Sequence, residues 1–252
     1  MSDWNPEKYL LFQQQRTQPA IDLANRVRDC NPQTIVDIGC GPGNSTEVLR
    51  KVFPEAEILG IDSSPNMIYR AQAKHSDLSF SLCGAADLDG TYDLLFSNAC
   101  LQWIPNHREL IPQLMEKLTD GGVLAVQMPM NRGEPLYQII RSVASESKWN
   151  FQKLYFEKND TLAPEEYFDI LSECAGSFEQ WESVYYHALP SHEHLIDWVR
   201  ETRLRPYLAV LDDGQKQQFE GEILTRVKAV YRLTPSGEII LKFRRFFFVA
   251  HR

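Results

Sequence analysis

Three glycines fall within five residues in Val36-Asp37-Ile38-Gly39-Cys40-Gly41-Pro42-Gly43-Asn44, and an acid follows in Gly60-Ile61-Asp62. A backbone passing close beneath a ligand needs residues that lack a Cβ and tolerate positive φ, and glycine meets both needs. A carboxylate one strand further on offers acceptors for hydroxyl groups. A glycine bend after one strand and an acid after the next is how a doubly wound sheet holds a nucleoside. The spacing also discriminates between nucleosides. The dinucleotide fingerprint sets its third glycine three residues beyond the second, so that a helix N-terminus meets a pyrophosphate. Here the interval is two residues and Pro42 lies inside it. That argues against a diphosphate ligand, and so against a nicotinamide dehydrogenase.

The elements needed to position these groups follow in order. Apolar runs predict strands at 34–38, 58–61, 78–82, 92–97 and 121–128. Helical spacing predicts helices at 44–53, 65–74 and 105–118, with Ser64-Pro65 as cap and first turn. Residues 5–28 read as helical, opened by Asn5-Pro6 and divided at Pro19. Beyond 130 we expect helices at 134–148, 164–174, 191–202 and 212–231, and final strands at 180–189 and 239–250. Serial β-α units imply an α/β fold: a doubly wound, mostly parallel, seven-stranded sheet. The material between the last strands would form a helical cap. The expected organisation is one domain, with a helical lid at 1–30, a cofactor-binding core at 31–130 and the last strands with their cap at 131–252. Right-handed crossovers gather the chemistry at the carboxyl ends of the strands. Residues 37–43, Asp62, 83–87 and 97–103 all fall there.

Composition bounds the function. The chain has 252 residues, 43% hydrophobic and 24% charged, as in a soluble globule. No apolar run approaches the roughly 20 residues a membrane helix needs, and the first residues lack the pattern of a signal peptide. A cytoplasmic protein is expected, a monomer or weak homodimer, with no membrane partner. The net charge of −8 argues against a nucleic-acid partner bound through phosphates. The charge is unevenly spread. Residues 200–252 hold 11 Lys/Arg against 6 Asp/Glu, a net of +5, leaving 15 against 28 elsewhere. This segment suits either an anionic small substrate or a solvated helix face. The five cysteines have neither disulfide nor metal spacing. Cys40 reads as a small residue in a tight turn rather than a nucleophile.

The combination Asp37-x-Gly-x-Gly-Pro-Gly followed by Asp62 resembles the class I S-adenosylmethionine-dependent methyltransferases, over roughly residues 30–130. The resemblance implies a Rossmann-like fold and S-adenosyl-L-methionine as cofactor, with S-adenosyl-L-homocysteine as product. Asp62 would accept from both ribose hydroxyls, a strong bidentate arrangement. Asp37 or nearby carbonyls would take the ammonium, and Arg16 with backbone amides the carboxylate. Met67 either covers adenine or packs in the core. Gly39, Gly41, Asn44, Ser63 and Asn98 complete the expected cofactor set. The family commonly has an acid just after the third strand, where this chain has Gly84. Asp87, or the backbone of Ala85, would then read the base.

Segments outside this core resemble one branch, the trans-aconitate methyltransferase family. They include Ser2-Asp3-Trp4-Asn5-Pro6, Asn98-Ala99-x-Leu101-Gln102-Trp103, Tyr185-Tyr186-His187 and Leu204-Arg205-Pro206. Two departures stand out: Arg203, where the family has glycine, and the basic Lys242-Phe243-Arg244-Arg245. The resemblance implies methyl esterification of one carboxylate of a small tricarboxylic acid. A carboxylate, with a free pKa near ~4, is already ionised at neutral pH. No general base and no metal are therefore expected; positioning and desolvation carry the reaction. Arginines bind carboxylates bidentately. Arg205, Arg244 and Arg245 lead the candidates for gripping the non-reacting carboxylates, followed by His187 and Arg203. Trp4, Tyr9, Gln102, Trp103, Tyr185 and Tyr186 would wall the pocket or serve as ordinary packing. The alternatives are a methyltransferase for another small metabolite and a non-catalytic S-adenosylmethionine-binding protein.

Overall fold

The computed structural model describes residues 13–151 and 161–252, and the side chains from residue 17 onward. Seven strands form one sheet: β1 (Thr34–Ile38), β2 (Glu57–Asp62), β3 (Ser79–Leu82), β4 (Tyr92–Asn98), β5 (Leu118–Pro129), β6 (Ser177–Leu189) and β7 (Ile239–His251). Their order is β3-β2-β1-β4-β5-β7-β6. The paired strands among β1–β5 run parallel, and β7 runs antiparallel to β5. The chain winds outward from β1 to β3, then returns to place β4 on the other side of β1. The switch point thus lies between β1 and β4, where such sheets open a crevice at their carboxyl ends.

The helices that follow these strands begin where local chemistry allows. Helix α2 (Asn44–Val52) starts directly after Gly43, whose φ is +89°. Helix α3 (Pro65–Lys74) is capped by Ser64, whose Oγ accepts the Met67 N–H at 3.4 Å, with Pro65 in the first turn. Helix α4 (His107–Glu116) starts two residues later than expected because Asn106 takes a left-handed conformation as its cap. The expected break at Pro19 does not occur: helix α1 (Gln13–Arg26) runs through it. Proline inside a helix forgoes one backbone bond and costs about 3 kcal/mol. Burial of Ala20, Leu23, Ala24 and Val27 offsets that cost.

The chain divides into two units. Among the described residues, the sheet unit comprises 14–129, 161–183 and 245–252. Its core is built from Ile35, Val36, Ile38, Leu94, Leu95, Phe96, Leu124, Val126 and Phe246–Phe248, all buried. Helix α6 (Pro164–Cys174) lies in this unit and matches its expected bounds. Among the described residues, the second unit comprises 130–151 and 184–244. It contains α5 (Pro135–Ala144), α7 (His192–Val199), α8 (Arg205–Leu208) and α9 (Asp213–Val230). Trp149, Trp198, Phe219 and Phe243 lie in its own apolar core. The single helix expected at 191–202 instead ends at Val199 and widens into a π turn, Arg200–Leu204. Pro206, which has no N–H to donate, follows that turn. Strands β6 and β7 pass from one unit to the other.

Candidate active site

The glycine bend consumes its own backbone donors. The N–H groups of Gly39 and Cys40 both donate to Ile61 O, at 2.8 and 2.9 Å. Gly41 N–H donates to Asp62 Oδ2 at 3.0 Å, and Gly43 N–H to Cys40 O at 3.0 Å. Pro42 has none. A phosphate cradle needs outward-pointing N–H groups, and residues 39–43 retain none. Gly39 and Gly41 sit at φ +72° and +54°. A Cβ on Gly39 would lie 2.1 Å from Cys100 Sγ, whereas one on Gly41 would meet nothing within 4 Å. Close packing therefore requires the first glycine, while the second faces open space.

Asp62 is fixed rather than mobile. Its Oδ2 takes Gly41 N–H and its Oδ1 takes Ser64 N–H at 2.8 Å. Each oxygen keeps a further lone-pair direction, which fits a pair of vicinal hydroxyls. Partial burial raises its pKa, and the two backbone donors pull it back. Asp37 is fully buried, and its Oδ2 accepts Ser45 Oγ and Thr46 Oγ1, each at 2.7 Å. Burial pushes its pKa up to about 6, with the two hydroxyls opposing and the charge of Asp62 adding to the rise. Asp37 Oδ1 has no hydrogen-bond partner, so a buried acceptor remains for a cation. Ser45 and Thr46 were not singled out in the sequence; a hydroxyl pair on the first turn after the bend was the signal.

Strand register extends the site across the sheet. Side chains opposite each other, and those two residues apart on one strand, share a face. Asp37 pairs with Gly60 and Phe96, Asn98 with Gln127, Gln127 with Phe247 and Pro129 with Arg245. Asp62, Asp37, Asn98, Gln127 and Arg245 therefore share one face of β2, β1, β4, β5 and β7. At about 4.8 Å per strand, the row runs from carboxylates to a guanidinium over roughly 19 Å. Such polarity suits a cationic, hydroxyl-bearing molecule at one end and an anion at the other.

The turn after β4 supports the middle of this row. Ala99 has φ +54°, a strained value for a residue with a Cβ. Both its backbone groups are pinned: its N–H donates to Gln127 O at 2.9 Å, and its carbonyl accepts Gln102 Nε2 at 2.6 Å. Gln102 is buried, while Trp103 on the same turn is partly exposed. Below the turn, His107 Nε2 meets Leu101 O at 2.8 Å and its Nδ1 meets Tyr167 Oη at 2.6 Å. The carbonyl can only accept, so Nε2 carries the proton and the tyrosine hydroxyl donates to Nδ1. His107 and Tyr167 were not anticipated, because residues 60 apart give no local pattern.

Comparisons with known proteins agree with this geometry. A family model described as a methyltransferase domain matches residues 12–206. Trans-aconitate 2-methyltransferase of Escherichia coli O157:H7 (strain EC4115 / EHEC) is 42% identical over 257 residues, covering 100% of this chain and 99% of the relative. The chain belongs to the trans-aconitate 2-methyltransferase family. Among solved structures, the YcgJ protein from Bacillus subtilis shares the fold with a TM-score of 0.61 at 12% identity, covering 93% of this chain and 98% of its own. The plantazolicin methyltransferase BpumL in complex with SAH does so with a TM-score of 0.53 at 17% identity, covering 98% and 90%.

The remaining expected residues of this methyltransferase separate into groups. Met67 is buried at the start of α3, Ser63 is exposed beside it, and Asn44 Oδ1 accepts Lys74 Nζ at 3.0 Å. Ala85 and Asp87 lie on a 3-10 turn after β3. Burial pushes the Cys100 thiol up to about 12 and also raises Cys40, so both are protonated at neutral pH, in keeping with a packing role. In the second unit, Tyr185 and His187 stack at 6.4 Å, and His187 packs on Trp198 at 5.0 Å. Tyr186 leaves the opposite face of β6 and is 67% exposed. Arg203 lies on the π turn with its guanidinium 5.6 Å from the Tyr137 ring centroid. Desolvation lowers its pKa, and Arg132 and Arg141 add to the lowering, while Tyr137 and Tyr207 oppose it. Arg205 opens α8. Arg244 N–H donates to Asn131 Oδ1 at 2.7 Å. Alternation sends the Arg244 and Arg245 side chains to opposite faces of β7, so adjacency in sequence does not pair them. Trp4, Tyr9 and the Arg16 side chain lie outside the described residues. Among the described residues, no cluster of His, Cys, Asp or Glu could hold a metal ion, and no helix is long and apolar enough to cross a membrane.

Proposed function

We propose that this chain is an S-adenosylmethionine-dependent O-methyltransferase that esterifies one carboxylate of trans-aconitate. The observation that carries the cofactor assignment is the internal saturation of the glycine bend beside the anchored Asp62. A bend with no N–H left for phosphate, next to a carboxylate for two hydroxyls and the buried Asp37 acceptor for an ammonium, fits a phosphate-free amino-acid nucleoside. The substrate assignment is supported by full-length relatives named trans-aconitate 2-methyltransferase. Bound in this way, S-adenosylmethionine supplies a methyl group on cationic sulfur.

The protein's residues position the reactants and exclude water. Asp62 holds the ribose, Asp37 faces the ammonium, and Met67 and the Ala85–Asp87 turn border the base. The attacking carboxylate is ionised at neutral pH and has no proton to lose, so no side chain is assigned as base. Fixing two reactants in line can lower a barrier by about 7–11 kcal/mol. Arg245 sits at the cationic end of the sheet row. A guanidinium there suits a small polycarboxylate held by a non-reacting group. We place the protein in the cytoplasm, as a monomer or weak homodimer.

The test has two parts. Titration calorimetry should give binding of S-adenosylhomocysteine and none of NAD. Turnover over a panel of di- and tricarboxylates, with mass spectrometry of the products, should give a monomethyl ester of trans-aconitate. Tight NAD binding without S-adenosylhomocysteine binding would overturn the cofactor; esterification of a different acid would transfer the assignment to that acid.

A further inference from the structure

Gln127 is fully buried in the middle of the polar row. Asn98 flanks it on β4 and Phe247 on β7. The Trp181 ring stacks on Phe247 at 5.0 Å and 6°, which makes that flank apolar. Gln127 Oε1 faces Arg245 Nη1 at 3.5 Å, a long contact of the kind that tightens when a ligand binds. Its Nε2, with two N–H groups, has no hydrogen-bond partner. Buried donors are almost always satisfied, so an orphan beside a cation points to an acceptor brought in from outside. The carbonyl oxygens of Asn98 and Gln102 are similarly buried without partners.

We propose that Gln127 and Arg245 form one carboxylate-binding unit. Gln127 Oε1 takes an N–H of the Arg245 guanidinium and so fixes its plane. Gln127 Nε2 then donates, beside the guanidinium, to a substrate carboxylate that is not methylated. An amide is the side chain this position requires. It orients the arginine without neutralising it, whereas an acid would pair with Arg245 and repel the substrate. The inference rests on the carboxyl methyltransferase reading and adds to it a binding residue on the sheet.

The experiment measures affinity separately from turnover. Calorimetry in the presence of S-adenosylhomocysteine gives Kd for trans-aconitate and for itaconate and mesaconate, each of which keeps the central carboxylate and lacks one of the two terminal ones. Wild type should prefer the tricarboxylate. Gln127→Met should raise the trans-aconitate Kd about tenfold and shrink that preference, leaving the S-adenosylhomocysteine Kd unchanged. Gln127→Glu should weaken the tricarboxylate further, because its carboxylate neutralises Arg245. Thermal melts and S-adenosylhomocysteine binding report whether each variant folds. Unchanged tricarboxylate affinity in two folded variants overturns the proposal, as does an equal loss for all three acids. A wild type that binds trans-aconitate without methylating it refutes the functional reading, while the Gln127 comparison still decides the inference. A wild type that binds no tricarboxylate overturns both.

Discussion

The Asp87 carboxylate stands where a side chain on Gly84 would stand: a Cβ built on Gly84 would lie 2.7 Å from Asp87 Oδ2. The 3-10 turn brings this about, with Asp87 N–H donating to Gly84 O at 3.1 Å and folding residue 87 back over residue 84. The location follows β3, whose Leu82 pairs with Asp62. A carboxylate three residues later thus occupies the space beside Gly84, where the proposed function puts the base.

Asp87→Ala is therefore expected to weaken S-adenosylhomocysteine binding about tenfold, the scale of one lost hydrogen bond to a charged group. Gly84→Asp alone places two carboxylates in one space and should also weaken binding. Combining Gly84→Asp with Asp87→Ala should recover affinity to within a few-fold of wild type. Calorimetry reads all three, and a wild-type Kd in Asp87→Ala would remove Asp87 from the base.

Asp62 holds the bend through Gly41 and Ser64, and the proposed function gives it the ribose as well. Asp62→Ala should cost about 1–3 kcal/mol of cofactor affinity through lost charged hydrogen bonds. Asp62→Asn should do no better, although it keeps the shape. Its NH₂ group must face either Gly41 N–H or Ser64 N–H, donor against donor. An asparagine variant that binds as tightly as wild type would show that neither backbone contact matters.

The glycines at 39 and 41 should respond differently to alanine. Gly41→Ala meets open space, so its cost is the left-handed backbone, about 1–2 kcal/mol. Gly39→Ala adds a collision with Cys100 and should cost roughly 2–5 kcal/mol in total. Cys100→Gly in the Gly39→Ala background should recover part of that loss. Urea melts of the four proteins decide the matter, and equal destabilisation by the two alanines would contradict the packing argument.

What the sequence made legible was local. The β1-bend-α2 unit, the Ser64-Pro65 cap, helix Pro164–Cys174 and the aromatic strand Ile239–His251 each carry their signal in adjacent residues. Pro19 misled because buried neighbours, not propensity, decide whether a helix continues. Arg205, Arg244 and Arg245 read together as cations for the carboxylates, yet the two-residue period of a strand sends the side chains of the last two apart. Ser45 and Thr46 on Asp37, the His107–Tyr167 pair and the row from Asp62 to Arg245 depend on which strands become neighbours. That information exists only after the sheet has formed.

Asp37 gives the protein a pH dependence whose sign can be derived. Its folded pKa, pushed up to about 6 by burial, exceeds the ordinary carboxylate value. Between pH ~4 and ~6 the unfolded chain has released this proton while the folded chain still holds it. The unfolded state therefore binds fewer protons, and stability falls as pH rises through that window. The contribution is complete below pH ~4 and lost above ~6, amounting to about 3 kcal/mol for a shift of roughly two units. Asp37→Asn removes this term, so the difference between wild type and variant in urea melts should change across pH 4–6 and level off above 7. Cofactor binding should run the other way. Only the ionised Asp37 attracts an ammonium, so wild-type affinity for S-adenosylhomocysteine should weaken as pH falls from 7 to 5, and the asparagine variant should lack this slope. Parallel binding profiles in the two proteins would remove Asp37 from ammonium recognition and leave it as the anchor of Ser45 and Thr46.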